Sequence, residues 1–192
     1  MEKKHIITIA GGLGSGKSTA AKATADILGY GHISTGDFMR SIANERGISL
    51  SKLTKIAESD PSIDQKLDDY NKKVGDMDNV VLDSRLGFYF IPSSFKVFLS
   101  LPPLVAAARI LEDKKSNPNR VKESPYGFDT VEGILQSISV RFLSEQKRYK
   151  DLYGIENHTS PSNFDLIIDT ENNSAEQVSS KIVEEYKKWL SK

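Results

Sequence analysis

Residues 11–19 read Gly-Gly-Leu-Gly-Ser-Gly-Lys-Ser-Thr, and this stretch decides the fold of the chain. It follows the apolar run at residues 6–10, which has strand character, and precedes a helix-favouring segment that begins near Thr19. The pattern G-x-x-x-x-G-K-[ST] indicates phosphate binding when it lies between a strand and a helix, as it does here. Glycines let successive backbone N–H groups turn toward phosphate oxygens, and the positive end of the following helix faces the same point. We therefore predict a nucleotide-phosphate site here.

Two side chains of this loop have specific predicted roles. Lys17 can reach the β- and γ-phosphates of a nucleotide, and the Ser18 hydroxyl can ligate Mg²⁺. A chance glycine-rich turn is the alternative, but the spacing, the Lys-Ser pair and the flanking elements all favour a phosphate site. The predicted binding set is Gly12, Leu13, Gly14, Ser15, Gly16, Lys17, Ser18 and Thr19.

Composition narrows the class of protein. A chain of 192 residues fits one domain with a real core. Its 26 basic and 26 acidic residues balance, so we expect no nucleic acid and no membrane surface as a partner. The absence of cysteine excludes a disulfide framework and a thiolate nucleophile. The polar first five residues do not resemble a signal peptide, so we expect a cytoplasmic protein.

Apolar patterns predict alternating strands and helices. The predicted strands are residues 6–10, 31–33, 79–83, 95–99 and 164–168. The predicted helices are residues 19–28, 38–45, 49–58, 61–74, 103–112, 129–152 and a last helix after Ser174. Alternation of this kind predicts a parallel sheet covered on both faces. Three successive helices without a strand predict an insertion beside that sheet, and residues 114–128 read as a long basic loop.

Two helices carry recognisable start signals. Asp129 and Glu132 resemble a capping box for the long helix, whose predicted apolar face is Val131, Ile134, Leu135, Ile138 and Phe142. Ser174 and Gln177 form the same signal for the last helix. The stripe on that last helix reads as core packing and consists of Val178, Ile182, Tyr186 and Trp189.

Polar residues cluster where the predicted strands end, the edge at which parallel sheets bind ligands. These residues are Thr35, Arg40, Asp83, Arg85, Arg109, Arg141, Glu145 and Arg148. A carboxylate such as Asp83, at the end of a core strand facing a phosphate loop, is typical of a Mg²⁺ ligand. The alternative for Asp83 is a helix cap or a structural ion pair, and for Arg40 and Arg85 it is a surface salt bridge.

Arg141, Glu145 and Arg148 are spaced i, i+4, i+7 and therefore share one helix face. The structural alternative is a ladder of salt bridges, Arg141 with Glu145 and Glu145 with Arg148. Taken together, several arginines near one phosphate loop favour a second phosphate-bearing substrate, because guanidinium groups bind phosphate oxygens in bidentate fashion.

At this point the chain resembles the P-loop nucleoside monophosphate kinases, most of all the archaeal-type cytidylate kinases. The residues that carry the resemblance are 11–18, 32–40, 63–64, 79–86 and 144–155. It implies a three-layer α/β/α nucleoside-kinase fold with a five-stranded parallel sheet, present as a single domain over residues 1–192. Its parts would be a core of residues 1–35, 76–109 and 149–192, a monophosphate-binding helical insertion at 36–75, and a lid at 110–140.

The resemblance also implies roles for the polar residues. Arg40, Arg85 and Arg148 would grip the acceptor monophosphate, and Arg141 with Glu145 would contact its sugar. Thr35 would face the base, and Arg109 would lie near the transferred phosphoryl group. The implied catalytic set is Lys17, Arg109, Arg141 and Arg148. The implied cofactors are ATP and Mg²⁺, with Ser18 and Asp83 as metal ligands, and we expect a monomer acting on small-molecule nucleotides.

Some positions depart from the family pattern. Ser84 stands where the family usually has glycine, Asp113-Lys114 replaces an expected lid arginine, and the Asp-Gly-Phe-Pro-Arg segment of adenylate kinases is absent. The acceptor therefore stays open between CMP or dCMP and AMP, dTMP or another phosphorylated metabolite. A non-catalytic nucleotide-binding protein with a regulatory or assembly role is the alternative from another class.

Overall fold

The structure is a computed structural model that describes residues 4–116 and 129–192. Its strands are β1 (Ile6–Gly11), β2 (Gly31–Ser34), β3 (Val80–Asp83), β4 (Phe95–Ser100) and β5 (Leu166–Asp169). They form one sheet in the order β2-β3-β1-β4-β5, and every neighbouring pair is parallel. The expected α/β class with a five-stranded parallel sheet is confirmed.

The apolar runs explain why the sheet is central. All six residues of β1 and all four residues of β3 are buried, as expected of strands with helices on both faces. The helices are α1 (Lys17–Leu28), α2 (Thr35–Glu45), α3 (Leu50–Ala57), α4 (Pro61–Gly75), α5 (Gly87–Phe90), α6 (Pro103–Ser116), α7 (Val131–Tyr153) and α8 (Ala175–Leu190). Alanines of α1 and the apolar stripe of α8 cover one face of the sheet, while Val74 of α4 packs on Ile6 and Leu82 at the other.

The three consecutive helices predicted between two strands are α2, α3 and α4. Their start residues are Ser34, Ser49 and Asp60, each of which accepts a hydrogen bond from a backbone N–H in the first turn. Because Ser34 caps α2, that helix begins at Thr35 rather than at the predicted Phe38. The three helices enclose a separate apolar cluster that includes Ile42, Leu53 and Ile63.

The segments around the predicted lid differ from expectation in three ways. The cap of α7 is Thr130, whose hydroxyl accepts from the Gly133 N–H, so the prediction of Asp129 was wrong by one residue. α6 extends to Ser116 instead of ending near residue 112, and most of the predicted basic loop lies outside the described residues. On the predicted apolar face of α7, Ile134 is buried, but Phe142 is 37% exposed.

The last helix follows its prediction closely. Ser174 and Gln177 form the capping box, and Val178, Ile182 and Tyr186 are buried against β1 and β4. No helix in the described ranges is long and apolar enough to cross a membrane.

Truncation of a buried side chain of α8 tests how tightly this helix packs on the sheet. We expect Ile182→Ala, at a position with 0% exposure, to lower the free energy of unfolding by about 2–5 kcal/mol because it leaves a cavity. Ile27→Ala on α1, where the side chain is 54% exposed, should change it by less than about 0.5 kcal/mol. Urea unfolding of both variants provides the measurement, and equal effects would contradict the assigned packing.

Candidate active site

The phosphate-binding loop connects the end of β1 to the start of α1. Gly14 and Gly16 adopt φ values of 71° and 80°, a left-handed conformation that glycine adopts without strain. A Cβ on Gly14 would also come within 3.0 Å of the Ala106 carbonyl oxygen. α1 begins at Lys17 without a side-chain cap and without an acidic residue in its first turn. Its first N–H groups are therefore available to an anion in the loop.

Lys17 lies across this loop. Its ammonium donates a 2.8 Å hydrogen bond to the Gly12 carbonyl oxygen. Burial in the cleft and then the nearby positive charge of Arg85 lower the pKa of Lys17 to about 8, although Asp83 and Glu145 oppose that change. Arg85 and the loop residues Gly12 and Leu13 line the same cavity, so the loop and the arginine belong to one site.

Ser18 and Asp83 form the predicted metal pair. The Ser18 hydroxyl donates to the Asp83 carboxylate at 2.5 Å, and Asp83 is 6% exposed at the end of β3, in register with Ile9 of β1. Hydroxyl and carboxylate oxygens suit a hard cation. No group of three or more His, Cys, Asp or Glu side chains that could hold a metal occurs in the described residues. The chemistry of the pair fits Mg²⁺, which takes few protein ligands and completes its shell with water and phosphate oxygens.

Glu145 is the buried centre of an arginine cluster. Its two carboxylate oxygens pair with Arg85 Nε at 3.1 Å and with Arg141 Nε at 2.8 Å. Burial by itself would raise the pKa of Glu145, but the two guanidinium groups outweigh burial and lower the pKa to about 2. We call Arg85, Glu145 and Arg141 the clamp. It joins the end of β3 to the middle of α7.

Arg148 pairs with Asp64 and not with Glu145, the partner that a ladder of salt bridges along α7 requires. Its Nε lies 3.4 Å from Oδ2 of Asp64, a buried carboxylate on α4, whereas both oxygens of Glu145 pair with clamp arginines. Burial raises the pKa of Asp64, and the charge of Arg148 opposes this. The proposed pairing of Glu145 with Arg148 is therefore wrong, and the actual pair connects α7 to the helical insertion.

Of the three remaining predicted residues, only Thr35 contacts the metal pair. The Thr35 hydroxyl donates to the Asp83 carbonyl oxygen at 3.2 Å, which places it beside the metal pair. Arg40 forms a surface salt bridge with Asp37, as its structural alternative predicted. Arg109 donates to the Thr170 carbonyl oxygen at 2.7 Å, after β5, so the structure does not bring it to the clamp.

Two cavities meet at the clamp, whose three residues line both. One is about 450 Å³ and lies between the phosphate-binding loop, the end of β4 and α7, with Gly12, Leu13 and Phe142 in its wall. The other, of about 120 Å³, lies between the insertion and α7, and we call it the insertion pocket. Thr35, Asp64 and Arg148 line the insertion pocket. The clamp thus separates the loop side from the insertion side of one site.

Sequence reasoning missed the polar face of α4. Asp64, Asp68 and Asn71 are spaced i, i+4, i+7, line the insertion pocket, and face the arginines of α7. The spacing was a visible signal, but a polar helix face usually faces solvent, and only the fold shows that this one is enclosed. Asn71 also explains the departure at position 84, because the buried Ser84 hydroxyl donates to its side-chain oxygen at 3.0 Å.

Comparison with known proteins places these features in a family. A family model described as an AAA domain matches residues 10–125. A cytidylate kinase of Methanocella arvoryzae is 34% identical over 95% of this chain and 99% of its own length. An S-adenosylmethionine-dependent nucleotide dehydratase of Lacinutrix mariniflava is 30% identical over 96% of this chain, which spans only 36% of that protein.

Solved structures agree on the fold. A shikimate kinase from Acinetobacter baumannii superposes with a TM-score of 0.64 over 100% of this chain and 97% of that one, at 16% identity. That identity supports the fold alone, while the sequence relatives support the narrower grouping. The resemblance inferred from residues 11–18 and 144–155 is confirmed: the chain belongs to the cytidylate kinases of the P-loop nucleoside monophosphate kinase family.

Proposed function

We propose that the protein transfers the γ-phosphoryl group of Mg·ATP to CMP or dCMP, giving CDP or dCDP and ADP. The clamp carries this proposal. Arg85 and Glu145 pair with each other, and both line the cavity beside the phosphate-binding loop as well as the insertion pocket. A phosphate held by the clamp from the insertion side would therefore lie next to the γ-phosphate of a nucleotide held by the loop.

On the donor side, the loop amides and Lys17 would bind the polyphosphate. Ser18 and Asp83 would hold Mg²⁺, which when bound neutralises charge on the phosphate oxygens. Lys17 would exchange its bond to the Gly12 carbonyl oxygen for bonds to phosphate. A lysine with a pKa of about 8 is only partly charged in slightly basic solution, and an anion beside it stabilises the charged form.

On the acceptor side, Arg40, Arg85 and Arg148 would bind the monophosphate. Arg40 and Arg148 pair with Asp37 and Asp64 respectively, so each would turn from a carboxylate toward the phosphate. Arg85 already lies between the two cavities. Glu145 keeps the clamp arginines in place, and as a carboxylate it can accept hydrogen bonds from sugar hydroxyls.

The transfer itself needs no general base. An acceptor phosphate oxygen, largely ionised near neutral pH because its second pKa is about 6, attacks the γ-phosphorus. The bond from that phosphorus to the β–γ bridging oxygen breaks, and ADP leaves with the electron pair. Arg141 would stabilise the equatorial oxygens, and Arg109 would join it once released from Thr170. Closure of the lid at residues 110–140 would exclude water from the site.

The sequence relatives favour a nucleotide acceptor over shikimate. A cytidylate kinase and a nucleotide dehydratase both match nearly the whole chain, at 34% and 30% identity, whereas the shikimate kinase is 16% identical. ADP formation from Mg·ATP, measured with CMP, dCMP, UMP, AMP, GMP, dTMP and shikimate, tests the proposal. We expect the highest kcat/KM with CMP or dCMP. AMP as the best acceptor would indicate an adenylate kinase, and no turnover with any acceptor would favour a non-catalytic nucleotide-binding protein.

Arg148→Ala tests the acceptor side. Removing a charged hydrogen-bond donor should lower kcat/KM for CMP by about 10- to 100-fold, because such bonds contribute about 1.5–3 kcal/mol, while the KM for ATP changes little. Lys147→Ala is the matched control, since the neighbouring Lys147 side chain is 81% exposed and forms a salt bridge with Asp151 one turn along α7. Steady-state kinetics of both variants would contradict the assignment if Arg148→Ala behaved like Lys147→Ala.

The lowered pKa of Lys17 predicts a pH effect on the donor side. Lys17 binds phosphate as an ammonium, which loses its proton as pH rises through about 8, so kcat/KM for ATP should decline above that pH. Lys17→Arg should lower the rate but abolish the decline, because guanidinium stays protonated throughout. Profiles of both proteins between pH about 6 and about 10 provide the test, and a wild-type decline centred near the ordinary lysine pKa of about 10.4 would contradict it.

A further inference from the structure

The insertion pocket is lined by charges of both signs. Its three arginines are Arg85, Arg141 and Arg148, and its carboxylates are Glu145, which pairs with the first two, Asp64, which pairs with the third, and Asp68. The anionic phosphate of a nucleotide would be attracted to the arginines, and its uncharged base would then contact the remaining lining of the pocket, which includes α4.

Among the three polar residues of α4 in this pocket, Asp64 and Asn71 have structural partners. Asp64 forms an ion pair with Arg148 at 3.4 Å, in which neither Asp64 Oδ2 nor Arg148 Nε makes a hydrogen bond. The Asn71 amide donates to the Leu67 carbonyl oxygen at 2.8 Å, and its oxygen accepts from Ser84. Both atoms of the Asn71 amide are therefore used within the wall of the pocket, and the charge of Asp64 is opposed by that of Arg148.

Asp68 is placed differently. It is half-buried, and one of its oxygens accepts a 2.8 Å hydrogen bond from the Tyr153 hydroxyl at the end of α7. This bond orients the carboxylate, which as an ionised group accepts hydrogen bonds at both of its oxygens. Burial raises the pKa of Asp68, while the bond from Tyr153 and the charge of Lys72 oppose the change. A second donor from a ligand would compensate this desolvation.

Part of the pocket wall is apolar. Met39 of α2, Leu67 of α4, and Leu86 and Phe90 after β3 line the pocket. Flat apolar surfaces with a few polar groups at one edge suit a heterocyclic ring. The volume of about 120 Å³ is small, which favours a single ring over a fused pair.

We infer that Asp68 determines base specificity by accepting a hydrogen bond from the exocyclic amine of the acceptor base. This rests on the proposed function and adds to it the residue that distinguishes cytosine from uracil or thymine. Cytosine presents an amino group where uracil and thymine present a carbonyl oxygen. That oxygen would face the carboxylate with no proton between them, so two desolvated acceptors would oppose each other. Sites built around such a bond reject the analogue that lacks the donor.

Asp68→Asn tests this directly, because it keeps the shape of the side chain and adds an N–H₂ donor that suits the carbonyl oxygen of uracil. The measurement is kcat/KM for CMP and UMP, and for dCMP and dTMP. We expect the preference for the amino base to fall by about 10- to 100-fold, the size expected of one charge-assisted hydrogen bond. Asp69→Asn is the matched control, since it makes the same charge change at an exposed position on α4 and should leave the ratio unchanged.

The possible outcomes distinguish a failure of the Asp68 inference from a failure of the proposed function. An unchanged CMP-to-UMP ratio in folded Asp68→Asn, verified by its thermal unfolding, would overturn the inference while leaving the kinase assignment intact. A wild-type preference for UMP over CMP would overturn both the inference and the proposed cytidine acceptor, while leaving the kinase assignment intact. If Asp68→Asn does not fold, Asp68→Ser, which also removes the charge, replaces it with the same expectation of a lost preference. Absence of turnover with every monophosphate would instead overturn the proposed function.

Discussion

The burial of Glu145 is the constraint on which the site depends. Moving a carboxylate out of water costs several kcal/mol unless it is paired and hydrogen-bonded. Here the partners come from two elements, Arg85 from the end of β3 and Arg141 from one turn earlier on α7. α7 can therefore be displaced from the sheet only by exposing or orphaning this charge. The low pKa of Glu145, about 2, means that the carboxylate remains ionised over the physiological pH range.

The same helix is also tied to the insertion, through the pairing of Arg148 with Asp64 and of Tyr153 with Asp68. These contacts lie on successive turns of α7, so one rigid element connects the sheet to α4. A monophosphate that draws Arg148 toward itself would weaken one of these links and leave the other intact. The insertion could then adjust to its ligand while remaining attached at Tyr153.

The fold and the phosphate-binding loop could be read from the sequence because both depend on short-range patterns. Glycine spacing, buried strands and helix caps are local, and all five strands were found within two residues of their predicted ends. Thr130 and Asp129 can both cap a helix, and only the backbone decides between them. α5 spans four residues, which is too short for a helical period to be visible. The salt-bridge ladder, the structural alternative for Arg148, was wrong because helix spacing shows only neighbours on the same helix, whereas Asp64 is far away in sequence.

The polar face of α4 shows most clearly why part of the site could not be predicted. In the sequence, its residues have the polar pattern of a solvated surface. Residues 63–64 contribute to the family resemblance without a predicted role. Burial reverses that interpretation, since enclosed carboxylates and amides must find partners. Ser84 shows how such a buried polar group is satisfied. A serine in place of the family's glycine would leave a buried hydroxyl unpaired, but Asn71 accepts its hydrogen bond at 3.0 Å. The serine therefore links the strand end that carries Asp83 and Arg85 to the helix that carries Asp68, so these two walls of the insertion pocket hold each other in register.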